Sequence, residues 1–379
     1  MIPHIELSRH RIAYLGYNGE RMLEQKPYRV CYFGIYPLRF PRDIVYLRGL
    51  EQKGVSTLPC IDSAKGWRKY WNLYQKHRLL KDEYDILFVT YLSSAAAILA
   101  SLISKRPIIY NALNSTYESI VLERAECRRF SLKGIGYWCL DFLSFHGADI
   151  TLVESDEQKA FIRKTFFVSE SKLQRMWTSA DERDFFPDPS VTQREKFTAI
   201  FRGQLAPFVG IEHVVDAARI LEKEGVDVII RGWGMLTPKV KEMIARYKLT
   251  NVTLMTEYQT AKEMRELMLS CHVSLGQFAD HERAERTIAN KSFETIAVGM
   301  PFITGDLAAN RELFTNEKDA LLVAVSSAQA IADAVIRLRD DMSLRKKLAA
   351  GGHALFLQQA SVGVLGEQLL RTFSSMSRG

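Results

Sequence analysis

At 379 residues the chain is too long for one comfortable core, so two domains are the default. A composition of 47% hydrophobic and 25% charged residues excludes a disordered, fibrous or low-complexity chain. The five cysteines are scattered, odd in number and free of any C-x-x-C, which argues for a reducing compartment and against a disulfide frame or a zinc site.

The net charge of +7 is unevenly spread: residues 1–80 hold 14 Lys and Arg against 6 Asp and Glu, and the remainder is close to neutral. A basic first quarter is either plain solvated surface or a face for anionic lipid or an anionic glycan. Nucleic acid is not expected as a partner, because no recognised binding motif accompanies the charge. The opening "MIPHIELSRHRIAY" lacks the long apolar run of a signal peptide. The expected location is therefore cytoplasmic, with peripheral contact at the inner face of the membrane if the basic quarter meets lipid.

Residues 1–26 read as an extension without periodicity. "RVCYFGIY" (29–36) is a strand running into a glycine-containing loop, and "PRDIVYLRGLEQKG" is a helix opened by proline and closed by Gly54. "VSTLPCI", "DILFVTY", "RPIIYNAL" and "DITLVES" are further short apolar runs, each followed by a helical stretch. The segment 86–103 carries no charge and invites comparison with a membrane span. Thr90, Ser93, Ser94 and Ser101 divide it instead into a strand (86–90) and a small-residue helix (94–104), a buried βα unit.

The polar "SADERDFFPDPSVTQRE" (179–195), with two prolines, reads as a linker. A second series opens at "KFTAIFRG" (196–203). A helix follows with Ile211, Val214, Val215, Ala218 and Leu221 on one face. "VDVIIRGWG", "NVTLMTEY", "HVSLGQF" and "PFITGD" are its later strands. A last helix near 362–376 has Val362, Leu365, Leu369 and Phe373 on one stripe, to pack across the hinge or back on the first domain. Strands this apolar, alternating with helices, predict α/β architecture: two Rossmann-like, doubly wound domains (27–186 and 187–361) facing each other across a cleft, plus the terminal helix 362–379.

Four loops of the second domain converge on that cleft. "FRGQLAPFVG" contributes Gly203, where backbone can approach a ligand near a helix N-terminus. "RGWG" places Gly232 and Gly234 around Trp233, which either stacks on a ring or packs on neighbouring helices. "TEYQT" brings Tyr258 and main-chain groups toward a base edge. "ERAERTIANKSFE" carries Arg286, Asn290, Lys291 and Glu294. Arg286 and Lys291 suit a diphosphate, and Glu294 suits ribose hydroxyls, for which a carboxylate is a good acceptor. The candidate catalytic set is therefore Arg286, Lys291 and Glu294, with Gly203, Gly232, Trp233, Gly234, Tyr258 and Asn290 binding donor. On the first domain Gly34 and Arg42 are candidates for contact across the cleft, and Asn114, Tyr117 and Glu118 for the acceptor pocket.

These stretches carry a resemblance. "FRGQLAPFVGIEHVVDAARIL", "VDVIIRGWG", "IANKSFETIAVGMPFITGDLAANRELF" and "DALLVAVSSAQAIADAVIRL" are similar, in order, to GT-B glycosyltransferases of the large retaining family 4, the group 1 type. "SADERDFFPDP" resembles the family's pre-linker signature, and "CYFGIYPLRFPRDIVYLRGLEQKGV" and "YNALNSTYESIVLERA" match the first half more loosely. The resemblance implies a GT-B fold and sugar transfer with retention from a nucleotide-diphosphate donor to a glycan or lipid-linked acceptor. It implies neither cofactor nor metal, and the chain has no D-x-D.

This chain departs from the pattern in places. The family often pairs Glu294 with a Glu eight residues earlier, where Arg286 stands here; Glu285 is one residue off. The Arg and Lys common after the second domain's first strand are replaced by Gln204 and Val209. A histidine common in the first domain is replaced by Asn111 or Asn114. A non-catalytic nucleotide-sugar binder or scaffold, or a sugar-nucleotide epimerase or hydrolase on the same fold, are the alternatives these changes leave.

Overall fold

The computed structural model describes residues 28–36 and 40–376. The extension 1–26 lies outside the described residues, as do Arg9, Arg11, Arg21, Lys26 and Arg39 of the basic quarter. The first domain is built on strands β1 (Arg29–Gly34), β2 (Ser56–Ile61), β3 (Ile86–Val89), β4 (Ile108–Leu113), β5 (Ile150–Val153) and β6 (Leu173–Arg175). They pair in the order β2-β1-β3-β4-β5-β6, parallel throughout. The second domain carries β7 (Thr198–Arg202), β8 (Asp227–Arg231), β9 (Val252–Met255), β10 (Val273–Leu275), β11 (Phe302–Gly305) and β12 (Leu321–Val323). Its order is β12-β11-β10-β7-β8-β9, again parallel, so the chain reverses direction between β7 and β10.

Both sheets are covered on both faces, which is why inner strands such as β3 and β11 are buried at every position. Alternation divides β1 between two cores. Val30 and Tyr32 join one together with the helix Pro41–Gln52, while Cys31 and Phe33 join another under the helices Arg68–Leu80, Ser94–Ile103 and Leu132–Gly147. Residues 86–103 form β3 and the helix Ser94–Ile103, and no described helix is long and apolar enough to cross a membrane. All five cysteines are free.

The chain crosses between the domains twice, and the two crossings are tied together. The hydroxyl of Ser179 donates to the carbonyl of Ala360, and Glu182 accepts from the backbone N–H of Val362 at 3.0 Å. Asp181 pairs with Arg48 of the first domain. After the second crossing, the helix Val362–Met376 turns its buried Val362, Leu365, Leu369 and Phe373 onto the helix Pro41–Gln52. Of the two placements open from the sequence, this is the one on the first domain. The helices meet at Gly49 and Gly366, where a Cβ on Gly366 would lie 2.2 Å from the carbonyl oxygen of Gly49.

That backbone-to-backbone approach leaves no flexible side chain to give way. Gly366→Val is expected to cost about 1–3 kcal/mol by overpacking, read as a lowered urea midpoint, while Gly363→Ala, which meets only the end of Gln52, leaves stability within about 0.5 kcal/mol.

Candidate functional site

The helix Asn290–Ala297 forms because Phe293, Ile296 and Ala297 bury one face, and Gly299 at φ +69° followed by Pro301 ends it. Its N-terminus has no side-chain cap, and Lys291 occupies the first turn, where the helix dipole disfavours a cation. Lys291 is nonetheless buried, with Nζ 3.7 Å from the centroid of the Phe201 ring. It has no ion-pair partner among the described residues. Burial, and then the neighbouring Arg202, hold its pKa well below the usual lysine value.

Arg202, the last residue of β7, organises this end of the helix. It ion-pairs with Glu294 and donates to the carbonyl of Lys291 at 2.6 Å and to Thr295 Oγ1 at 3.3 Å. Asn290 Nδ2 donates to Glu294 Oε1 at 2.5 Å. Arg231, ending β8, is held down by burial and by Arg202 and up by Glu294. Two guanidiniums thus act on one carboxylate, with the Lys291 amine in the same turn of the helix, and the site has positive charge to spare for an anion.

Lys291 lines a cavity of about 380 Å³ between the domains, at the reversal between β7 and β10. Tyr91, Asn114, Glu154 and Thr178 face it from the first domain, and Gly203, Gln204, Gln277, Asn290 and Lys291 from the second. Gly203, at φ +129°, brings backbone against the lysine: a Cβ there would lie 3.5 Å from Lys291 Cδ. Two polar atoms of this lining, Gln277 Nε2 and Asn290 Oδ1, are buried without a protein partner. Unsatisfied buried groups of this kind are costly unless something binds them. Crevices at such reversals are where open α/β sheets take ligands.

Arg286 is placed elsewhere. Its guanidinium pairs with Glu118 of the first domain at 2.8 Å and lies 4.4 Å from the Phe161 ring centroid, so it is not beside Lys291. The reason is the short helix Glu282–Arg286, which packs against the first-domain helix Asp156–Phe166. Arg283, three residues earlier, is the deeper of the two. It reaches Glu118 at 3.1 Å, Glu154 at 2.9 Å and Glu123 at 3.9 Å. Gln158 donates to Glu118 at 2.8 Å and Thr287 to Glu154 at 3.2 Å. Burial pushes Glu154 up to about 7 against the pull of Arg283, and burial raises Glu123 as well. Arg283 lines both the cavity above and a neighbouring one of about 570 Å³ that includes Tyr117 and Glu118.

Glu285 is taken up locally: its carboxylate accepts the N–H of Ala308 at 2.6 Å, at the start of the helix Ala308–Leu313. Arg42 is buried within the first domain, donating to Asn111 Oδ1 at 2.6 Å and to the carbonyl of Met176 at 2.8 Å, behind the cavity rather than in it. Gly34 and Gly232 permit tight backbone packing, against Thr90 and Gly203 respectively. Trp233, beside Arg231 at 5.0 Å, Gly234 and the exposed Tyr258 stand outside the cavity's lining. Sequence reasoning missed Arg202, Arg283, Glu154 and Gln277. A charge ending an apolar strand just before a glycine was the available signal for Arg202. Among the described residues no group of three or more His, Cys, Asp or Glu is arranged to hold a metal ion.

Comparison with known proteins bears on this site. Residues 182–354 match the family model described as "Glycosyl transferases group 1". An alpha-D-kanosaminyltransferase of Streptomyces kanamyceticus is 24% identical over 172 residues, which is 45% of this chain and 43% of that protein. The lipopolysaccharide core biosynthesis glycosyltransferase LpsD of Rhizobium meliloti is 38% identical over 65 residues, 17% of this chain and 19% of the relative. The matches therefore span less than half the length of these curated relatives. HepE of Anabaena, solved in complex with UDP and glucose, superposes with a TM-score of 0.70 at 14% identity, covering 92% of this chain and 100% of that one. Sucrose-phosphate synthase of Thermosynechococcus elongatus gives 0.72 at 12% identity, covering 93% and 100%. At such identities the likeness is one of fold, and the fold is GT-B.

The cross-domain cluster carries its own expectation. Arg283→Met removes the ion-pair partner of Glu154 and one of the two guanidiniums on Glu118, and should cost about 3–5 kcal/mol, with a larger radius of gyration in solution scattering. Glu154 titrates near 7 in the folded protein, above its usual value, and is largely neutral at pH 5.5. The loss should therefore be greater at pH 8 than at pH 5.5.

Proposed function

We propose that this chain, which belongs to the group 1 glycosyl transferases through residues 182–354, transfers a sugar from a nucleotide-diphosphate donor to a glycan or lipid-linked acceptor. The observation that carries the reading is the buried Lys291 amine, without an ion-pair partner among the described residues, set beside Gly203 in a cavity where Asn290 and Gln277 hold unused hydrogen-bonding atoms. The donor's diphosphate supplies the missing anion. Its oxygens lie along Lys291 and the Gly203 backbone, within the field of Arg202 and Arg231. Glu294, held by Arg202 and Asn290, accepts from ribose hydroxyls, and the exposed Trp233 and Tyr258 flank the base. Asn114, Tyr91 and Thr178 face the sugar and the acceptor from the other domain.

The chemistry follows from this charge distribution. The bond between the anomeric carbon and the phosphate oxygen breaks as negative charge grows on the leaving diphosphate, which the cations stabilise. The acceptor hydroxyl forms the new bond on the same face and its proton passes to a departing phosphate oxygen, giving retention. Fixed cations supply the role that a divalent metal plays elsewhere, and holding both reactants in one cavity supplies the rest.

Thermal-shift screening with UDP-, GDP- and ADP-sugars tests the site. The matching donor at about 100-fold over its Kd should stabilise by about 2.7 kcal/mol. Lys291→Ala and Glu294→Ala should each weaken it at least about tenfold. Unchanged affinity in both variants would remove the assignment. Binding without slow donor hydrolysis or transfer would favour the non-catalytic binder.

Diphosphate binding should also take up protons. An anion at Lys291 raises a pKa that burial had lowered, so affinity falls as pH rises between the free and bound values. Calorimetry of the nucleoside diphosphate in two buffers of different ionisation enthalpy reads the uptake, and Lys291→Met should abolish it.

A further inference from the structure

Most of the large apolar side chains that the described residues leave exposed belong to the first domain. They concentrate on one layer: the helices Arg68–Leu80, Ser94–Ile103 and Leu132–Gly147, which cover the same face of the first sheet side by side. Phe130 is 85% exposed, Leu132 91% and Trp67 71%, with Trp71, Leu92 and Ile135 about half exposed. Scattered exposed apolar residues are ordinary, but a cluster of this kind marks an interaction surface.

The two chain segments that bear most of them are basic, although Glu123 and Glu282 share a cavity with Arg129. Between Asp62 and Asp82 the chain places Lys65, Arg68, Lys69, Lys76, Arg78 and Lys81 with no acid, and between Glu126 and Asp141 it places Arg128, Arg129 and Lys133 with none. Lys65, Arg68, Lys69, Arg128, Arg129 and Lys133 enter no ion pair among the described residues. The Arg129 guanidinium lies 5.6 Å from the Phe130 ring centroid. The turns bearing Trp67, Leu92 and Phe130 all lie downstream of the carboxyl ends of β2, β3 and β4, the edge on which the interdomain cavity opens; Tyr91 and Arg124, from two of these turns, line that cavity. With helices packed 8–10 Å apart, the row spans about 20 Å.

We infer that this face seats the protein on an anionic lipid bilayer, with Trp67, Phe130 and Leu132 entering the interface and the surrounding cations on the headgroups. Aromatic and aliphatic tips ringed by Lys and Arg are the chemistry of an interfacial contact. Each cation near an anionic leaflet contributes roughly a fivefold gain in partitioning, and the attraction is screened by salt. The cavity mouth then opens next to the membrane, where the head of a lipid-anchored substrate is within reach without leaving the bilayer. The inference goes beyond the transfer reading and does not depend on it, since lipid binding is measured without donor or turnover.

Co-sedimentation of the full chain with vesicles decides it. The wild type should pellet with phosphatidylcholine–phosphatidylglycerol vesicles, release as salt is raised, and stay in solution with phosphatidylcholine alone. Trp67→Ser/Phe130→Ser/Leu132→Ser and Lys65→Glu/Lys69→Glu/Lys133→Glu should each lower partitioning at least about tenfold with unchanged melting and nucleotide-induced thermal shift. A wild type that never pellets overturns the inference. So do variants that pellet as well as the wild type, which would place the contact elsewhere in the chain. A concentration-dependent dimer in sedimentation velocity, abolished by the same substitutions, overturns it in favour of a second copy of this chain.

Discussion

A buried lysine amine with no carboxylate paired to it is the constraint from which this site is built. Arg202 makes it possible by claiming Glu294 for itself and, with the same guanidinium, holding the carbonyl of Lys291. Had Glu294 paired with Lys291 instead, the first turn of the helix would be electrically closed. As arranged, the second domain carries unneutralised positive charge into a crevice whose backbone is opened by Gly203, and an anionic ligand completes the electrostatics.

That crevice is shared because the domains are joined by charge as well as by chain. Arg283 and Arg286 leave the second domain from one short helix and end among Glu118, Glu123 and Glu154 of the first. Buried ion pairs contribute less net stability than their Coulomb attraction suggests, yet removing one partner is expensive. The cluster therefore sets how the two sheets face each other more than it strengthens either. Since Arg283 lines both neighbouring cavities, the register between domains and the shape of the site are one variable.

Much of the fold was legible because burial on both faces writes itself into a parallel strand as an unbroken apolar run. The polar, proline-bearing 179–195 was equally plain as a crossing. Pairing across long separations was not. Arg202 and Glu294 stand far apart in sequence, and nothing local marks them as partners. Arg283 and Arg286 are the same residue type on the same small helix, and which of them runs deeper is decided by rotation against the helix Asp156–Phe166, a tertiary fact. Glu285 looked like a slipped catalytic carboxylate, but it accepts the N–H of Ala308, whose position depends on how the strand before it ends. The exposed Phe130 and Leu132 follow the same logic in reverse: an amphipathic pattern does not say which apolar residues will be left uncovered.

The helix Val362–Met376, sealed to the helix Pro41–Gln52 at Gly49 and Gly366, makes the first domain discontinuous in sequence. Its hydrophobic interior is completed by a segment that is synthesised only after the whole of the second domain. The core of the first domain therefore closes only once residues 362–376 have been made. Any exchange of halves between proteins of this architecture has to move the tail together with the head.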